Sequence, residues 1–133
     1  MTTVFADAFY YFALVNPDDR RHNHARAFTE GFTGQIVTTA WILTELGDGL
    51  AKGNNRRLFL EMVSDLRADP DVQILPPSTE LFEEGLALYG RRLDMDWSLT
   101  DCISFVAMGR NGIADALTGD HHFEQAGFSS LLR

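Results

Sequence analysis

A chain of 133 residues, 45% of them hydrophobic and ten of them Phe, can bury the core of one domain and is short for two. A net charge of −8 and a pI near 4.8 exclude a protein that grips nucleic acid through a broad basic surface, since like charge repels phosphate unless a cation locally reverses the sign. The lone Cys102 excludes an internal disulfide, and the N-terminal apolar run is broken by Asp7 and lacks a basic leader, so a cytoplasmic chain with neither signal peptide nor membrane span is expected.

Residues 2–6 form a β-rich run ending at Asp7, residues 8–14 fit a helix, and Asn16-Pro17 makes a turn. From 20 to 32, Ala25, Phe28 and Phe32 recur at helical spacing, and the other face carries Arg20, Arg21, His22, His24 and Arg26. A second strand is expected over 35–38, then a helix over 39–51 with a core stripe of Ile42, Leu46 and Leu50 and with Glu45 at its edge. Residues 55–67 repeat the amphipathic pattern through Leu58, Phe59, Met62, Val63 and Leu66, and 71–75 read as a third strand closed by Pro76-Pro77. A further helix spans 78–93, with Phe82, Leu86, Tyr89 and Leu93 forming its apolar face. Ser98 and Asp101 fit a capping box for a helix that starts at Leu99, is apolar nearly all round and therefore buried, and is stopped by Gly112. Residues 113–118 then make a short strand, Gly119-Asp120 a turn just past its C-terminal end, and 128–132 a fifth, edge strand. Alternating strands and helices imply βαβ crossovers, hence a single α/β domain over 1–133 whose mostly parallel sheet carries helices on both faces.

Four acids fall at positions that can converge on one edge of such a sheet: Asp7 and Asp120 at strand ends, Asp101 in the first turn of a helix and Glu45 in the second turn of another. Each has an ordinary explanation. Asp7 and Asp120 suit helix N-caps, Asp101 is a capping-box acid, and Glu45 suits an exposed helix position. All of these readings still leave the carboxylates on the same rim, where two of them ~5 Å apart repel by roughly 3 kcal/mol at an effective dielectric of about 20. Such a cluster draws in a hard cation. Mg²⁺ or Mn²⁺ takes oxygen ligands, keeps waters and bridges to phosphates, which suits hydrolysis of a phosphodiester. A Walker A loop and a GxGxxG turn are absent, so a nucleotide cofactor has no support. A receiver domain needs a lysine beyond its last strand, whereas the only lysine is Lys52, and a phosphatase with an Asp nucleophile needs a second acid where Phe9 stands.

VFAD at the N-terminus, TEL around Glu45, WSLTDCISF around Asp101 and ALTGDHHF around Asp120 resemble the PIN domain, in particular the VapC-type ribonuclease toxins of toxin–antitoxin pairs, over essentially the whole chain. The resemblance implies a five-stranded sheet in the order 3-2-1-4-5 and metal-binding, catalytic acids at Asp7, Glu45, Asp101 and Asp120. It also implies a Mg²⁺ or Mn²⁺ cofactor, endonucleolytic cleavage of RNA, an antitoxin that blocks the acidic pocket with a basic side chain, and a homodimer. Phe9 departs from the family, which often has a small hydroxyl or amide residue there, and this leaves the support of Asp7 open. Asp96, near the pocket mouth, and Thr100 and Thr118, as hydrogen-bonding hydroxyls, are auxiliary candidates. His121 and His122 are expected to splay apart in a short helix after Asp120. Arg20, Arg21, Arg26, Arg56, Arg57, Arg91 and Arg92 are the clustered positives available to an RNA strand, with surface solubility as their competing explanation. A PIN fold that cuts DNA, or one kept only as a binding scaffold, stays open, because a metal at a phosphodiester does not itself read the 2′-OH.

Overall fold

The computed structural model describes residues 2–133. In chain order the elements are β1 (Thr3–Ala6), α1 (Ala8–Val15), α2 (His22–Gly31), β2 (Gln35–Thr39), α3 (Ala40–Gly49), α4 (Asn55–Ala68), β3 (Val72–Leu75), α5 (Thr79–Arg91), α6 (Leu99–Arg110), β4 (Asp115–Leu117), α7 (His121–Gln125) and β5 (Ser129–Ser130). The strands form one sheet in the order β3-β2-β1-β4-β5, and every neighbouring pair is parallel. That is the predicted topology. The last two strands are shorter than expected, three and two residues.

β1 lies at the centre, and Val4, Phe5 and Ala6 are all buried, as a strand covered on both faces requires. Its register pairs Ala6 with Leu117, so the next residues along, Asp7 and Thr118, leave the sheet side by side at its C-terminal edge. On the other side of β1, Thr38 Oγ1 donates to Ala6 O at 2.9 Å, and Thr39 closes β2 and caps α3 by accepting the Ile42 N–H. α6 is buried along most of its length and ends in a Schellman motif. Gly112 takes φ +64°, the Ile113 N–H returns to Met108 O at 2.9 Å, and the Gly112 N–H returns to Gly109 O. α7 is tied down by Phe123, which is fully buried between Phe5 (ring centroids 6.4 Å) and Phe105 (5.0 Å, edge to face). No helix among the described residues is long and apolar enough to cross a membrane.

Two predicted details are corrected. α2 begins at His22, and Arg20 and Arg21 lie in the turn before it, where Asp19 captures the Arg21 and His22 N–H groups and so shapes the turn before the helix. On α5 the face of Phe82, Leu86 and Tyr89, continued by Leu93, is exposed (36%, 43%, 46% and 84%), while Leu81 and Gly85 are buried and Leu88 packs against the core. Gly85 explains the rotation. Its missing side chain lets α5 approach α6 so closely that a Cβ would collide with Ile103, and a glycine cannot register as a core position in a hydrophobic stripe.

Candidate active site

The first residue beyond β1, Asp7, occupies the N-cap position of α1 with extended backbone, yet its carboxylate makes no capping bond. Instead, Thr118 Oγ1 donates to Asp7 Oδ2 at 2.8 Å across the two central strand ends. The direction is dictated by Thr118's other bond, because its oxygen accepts the Asp120 N–H at 3.1 Å and so leaves its hydrogen for Asp7. Burial pushes the Asp7 carboxyl up to about 7, and the charges of Glu45 and Asp101 add to that, against the opposing pull of the Thr118 hydroxyl and the Ala8 N–H. The hydroxyl support left open by Phe9 therefore comes from Thr118. The Phe9 ring lies over Gly119, at a spot where any side chain on residue 119 would clash.

Asp101 is both things the sequence allowed. The capping box is complete, with the Asp101 N–H donating to Ser98 Oγ at 3.0 Å and the Ser98 N–H donating to Asp101 Oδ2 at 3.1 Å. The same carboxyl is buried, which raises its pKa. Hydrogen bonds from Ser98 and His122 pull it down, and Asp120 pushes it up. Asp120 caps α7, its Oδ1 accepting the His122 N–H at 2.9 Å. Glu45 keeps an exposed surface on α3, but desolvation of its carboxyl raises the pKa, with Asp101, Asp120 and Asp48 adding to the rise. Each of the four acids thus feels at least one other. Among the described residues no Arg or Lys pairs with any of them, and the only basic side chains within 4 Å of their carboxylates are the imidazoles of His121 and His122.

Those histidines do not splay apart. Their ring centroids are 4.5 Å apart, His122 Nδ1 lies 3.0 Å from Asp101 Oδ2 and 3.5 Å from Asp120 Oδ1, and the exposed His121 lies 3.6 Å from Asp120 Oδ1. Both imidazoles lean toward acids that their own short helix and α6 present. Asp120, His121 and His122 form the one group among the described residues whose ligand atoms all come within 4.8 Å of one another. No three of the four acids are that tightly gathered, a spacing that suits a hard cation keeping waters between itself and some of its carboxylates. The donor chemistry fits such an ion: oxygen-rich, desolvated and lacking compensating positive charge.

The auxiliary candidates divide. Thr118 joins the site as described. Thr100 is half-buried in the first turn of α6 and makes no hydrogen bond to the four acids, and Asp96 stands exposed in the preceding loop. The arginines are not one cluster. Arg20 and Arg21 sit beyond the far end of α1, a helix of eight residues or about 12 Å from Asp7. Arg26 pairs with Glu30 at 3.4 Å, and Arg56 and Arg57 are exposed at the start of α4. Arg91 ends α5 and Arg92 is its C-cap, just ahead of the connection that leads into the end of α6 carrying Asp101. Arg92 grips Asp94 with two hydrogen bonds and stacks 5.1 Å over Trp97, which leaves Arg91 exposed beside it. A concavity of about 740 Å³ between α3 and α4, lined by Leu43, Phe59, Leu60 and Val63, holds none of the acids.

The PIN domain family profile matches residues 4–129. The chain belongs to the PIN domain family. Among characterised PIN proteins it is similar to the 23S rRNA-specific endonuclease VapC20 of Mycobacterium tuberculosis, 26% identical over 125 residues that span 94% of this chain and 95% of that one. The crystal structure of VapC20, described as a sarcin–ricin loop cleaving toxin, superposes with a TM-score of 0.85 at 25% identity over 94% of this chain and 95% of the other. Two more distant structures share the PIN fold. They are a toxin–antitoxin complex from Klebsiella pneumoniae (TM-score 0.63, 16% identity, 89% of this chain and 87% of that) and FitAcB from Neisseria gonorrhoeae (0.66, 15%, 96% and 95%).

Proposed function

We propose that this PIN protein is a divalent-metal-dependent endoribonuclease, the toxin of a toxin–antitoxin pair acting in the cytoplasm. The observation that carries the reading is the rim of Asp7, Glu45, Asp101 and Asp120 at the C-terminal edge of the sheet, the first three with desolvated carboxyls and none with an Arg or Lys to neutralise it. These four would hold Mg²⁺ or Mn²⁺, which supplies a water of lowered pKa and polarises the phosphoryl oxygen. Thr118 keeps Asp7 oriented and Phe9 shields the Gly119 turn behind it. Glu45, the most exposed of the acids, is the group free to orient the attacking water and take its proton. Arg91 is the free positive charge nearest in the chain to the α6 end of the site and is assigned to the RNA backbone.

Two partners go with this reading. An antitoxin would silence the site by placing a basic side chain among the four acids, where positive charge is missing. A second copy of the chain would cover Phe82, Leu86, Tyr89 and Leu93, an apolar stripe that a monomer leaves in water.

The likeness to VapC20 makes the sarcin–ricin loop of 23S rRNA the first substrate to try. The purified chain should cut an RNA oligonucleotide of that loop at one position with Mn²⁺ or Mg²⁺, and EDTA should stop it. The same oligonucleotide in DNA should survive. Cleavage that resists EDTA overturns the metal, equal cutting of the DNA overturns the substrate class, and a chain that cuts neither is a scaffold.

A further inference from the structure

One carboxylate serves both the helix and the rim at Asp101, and the division is visible atom by atom. Ser98 N–H and His122 Nδ1 both reach Oδ2, at 3.1 and 3.0 Å, and among the described residues no donor reaches Oδ1. The capping box is already complete with Ser98, so the imidazole bond is surplus to capping. A carboxylate oxygen only accepts, so Nδ1 carries the hydrogen and cannot itself hold a metal.

The backbone that carries the imidazole is also fixed independently of Asp101. The His122 backbone N–H donates to Asp120 Oδ1 at 2.9 Å, and the next residue, Phe123, is locked between Phe5 and Phe105. His122 therefore stands on an anchored backbone between two carboxylates from different elements, 3.0 Å from one and 3.5 Å from the other.

We infer that His122 is a positioning residue of the metal centre: by occupying Asp101 Oδ2 it leaves Oδ1 as the oxygen offered to a divalent cation, and it holds Asp101 and Asp120 at a separation both can use. The inference rests on the metal reading of the four acids. Two donors from different elements, one from the α6 cap and one from α7, converge on Oδ2 and together restrain the Asp101 carboxylate more tightly than the cap does alone. Hydrogen-bond partners of metal ligands commonly govern affinity in this way.

The test compares His122→Asn, which keeps an amide N–H close to the Nδ1 position, with His122→Leu, which removes the donor. His122→Ala makes the same deletion should the leucine variant fold poorly. Mg²⁺ and Mn²⁺ are titrated calorimetrically into the full chain. The donorless variants should bind both ions roughly 10–100-fold more weakly with the Mn²⁺/Mg²⁺ ratio unchanged, while His122→Asn stays within about threefold of the parent. RNA cleavage at saturating metal should keep its KM in all variants. Unchanged binding in His122→Leu or His122→Ala overturns the inference, as does an asparagine variant as weak as these. A loss confined to Mn²⁺ would make the imidazole a ligand, and that too overturns it. A parent chain that binds neither ion removes the metal reading itself, a failure seen before any variant is made.

Discussion

The rim of the sheet and the outer face of α5 invert the usual partition of residue types in opposite ways. At the rim, carboxylates are withdrawn from water with no positive side chain to meet them. On α5, Phe82, Leu86 and Tyr89 are left in water although Leu81 and Gly85, their neighbours in sequence, pack inward. Buried charge without a counter-charge and exposed hydrocarbon without a cover are both unfavourable in an isolated chain. Under the proposed function a cation would answer the first and another protein surface the second.

The largest effect that separates the two should come from Asp7→Asn. Cleavage should fall on the order of 10³-fold or more in kcat, since one ligand and one charge are lost from a site worth several kcal/mol. The same variant should be more stable than the parent in EDTA at pH 8, by roughly 2–4 kcal/mol, because an ionised buried carboxylate is replaced by an amide that can still accept from Thr118. Chemical denaturation measures this, and a less stable Asp7→Asn chain would mean that the rim is not strained.

The pH dependence sharpens the point. Folding raises the Asp7 carboxyl from 3.8 to about 7, so between those values the native state holds a proton that the unfolded chain has released. Stability in EDTA should accordingly fall as pH rises from 4 to 7, then level off, with the upward shifts of Glu45 and Asp101 acting in the same sense. Saturating Mn²⁺ should oppose that slope, since the ion binds the ionised folded cluster. Parallel pH profiles with and without metal would contradict a cation site.

The α5 face is broken by Leu86→Glu. Light scattering should show a dimer for the parent at micromolar concentration and a monomer for the variant, the loss of a central apolar contact weakening association by about 2 kcal/mol or more. A monomeric parent would leave the stripe to another protein. The smallest effect is expected at Arg91→Gln, which should weaken RNA binding a few-fold and lower the salt slope by about one. Arg20→Gln should change neither, being a helix length from the rim.

Much of this was legible in linear order. The alternation of apolar runs, the Ser98–Asp101 box and the Gly112 stop are local signals, each decided by residues within a few positions of one another, and they carry the succession of strands and helices and put Asp7, Asp101 and Asp120 at element ends, whereas the sheet order rests on the resemblance to the PIN domain. Composition carried the shortage of positive charge. What depended on contacts between distant elements was not legible. The inward face of α5 was set by Gly85 fitting against Ile103, and a glycine leaves no hydrophobic mark. Thr118 is a candidate hydroxyl from the sequence, but that its partner is Asp7, 111 positions away, is decided by the β1–β4 register, and Thr100 takes no such role. His122 met Asp101 because Phe123 anchors α7 against α6. Helix caps and strand periods act over one turn or one pleat. Which hydroxyl holds which carboxylate, and which apolar face stays in water, is decided only when elements far apart in the chain are packed together.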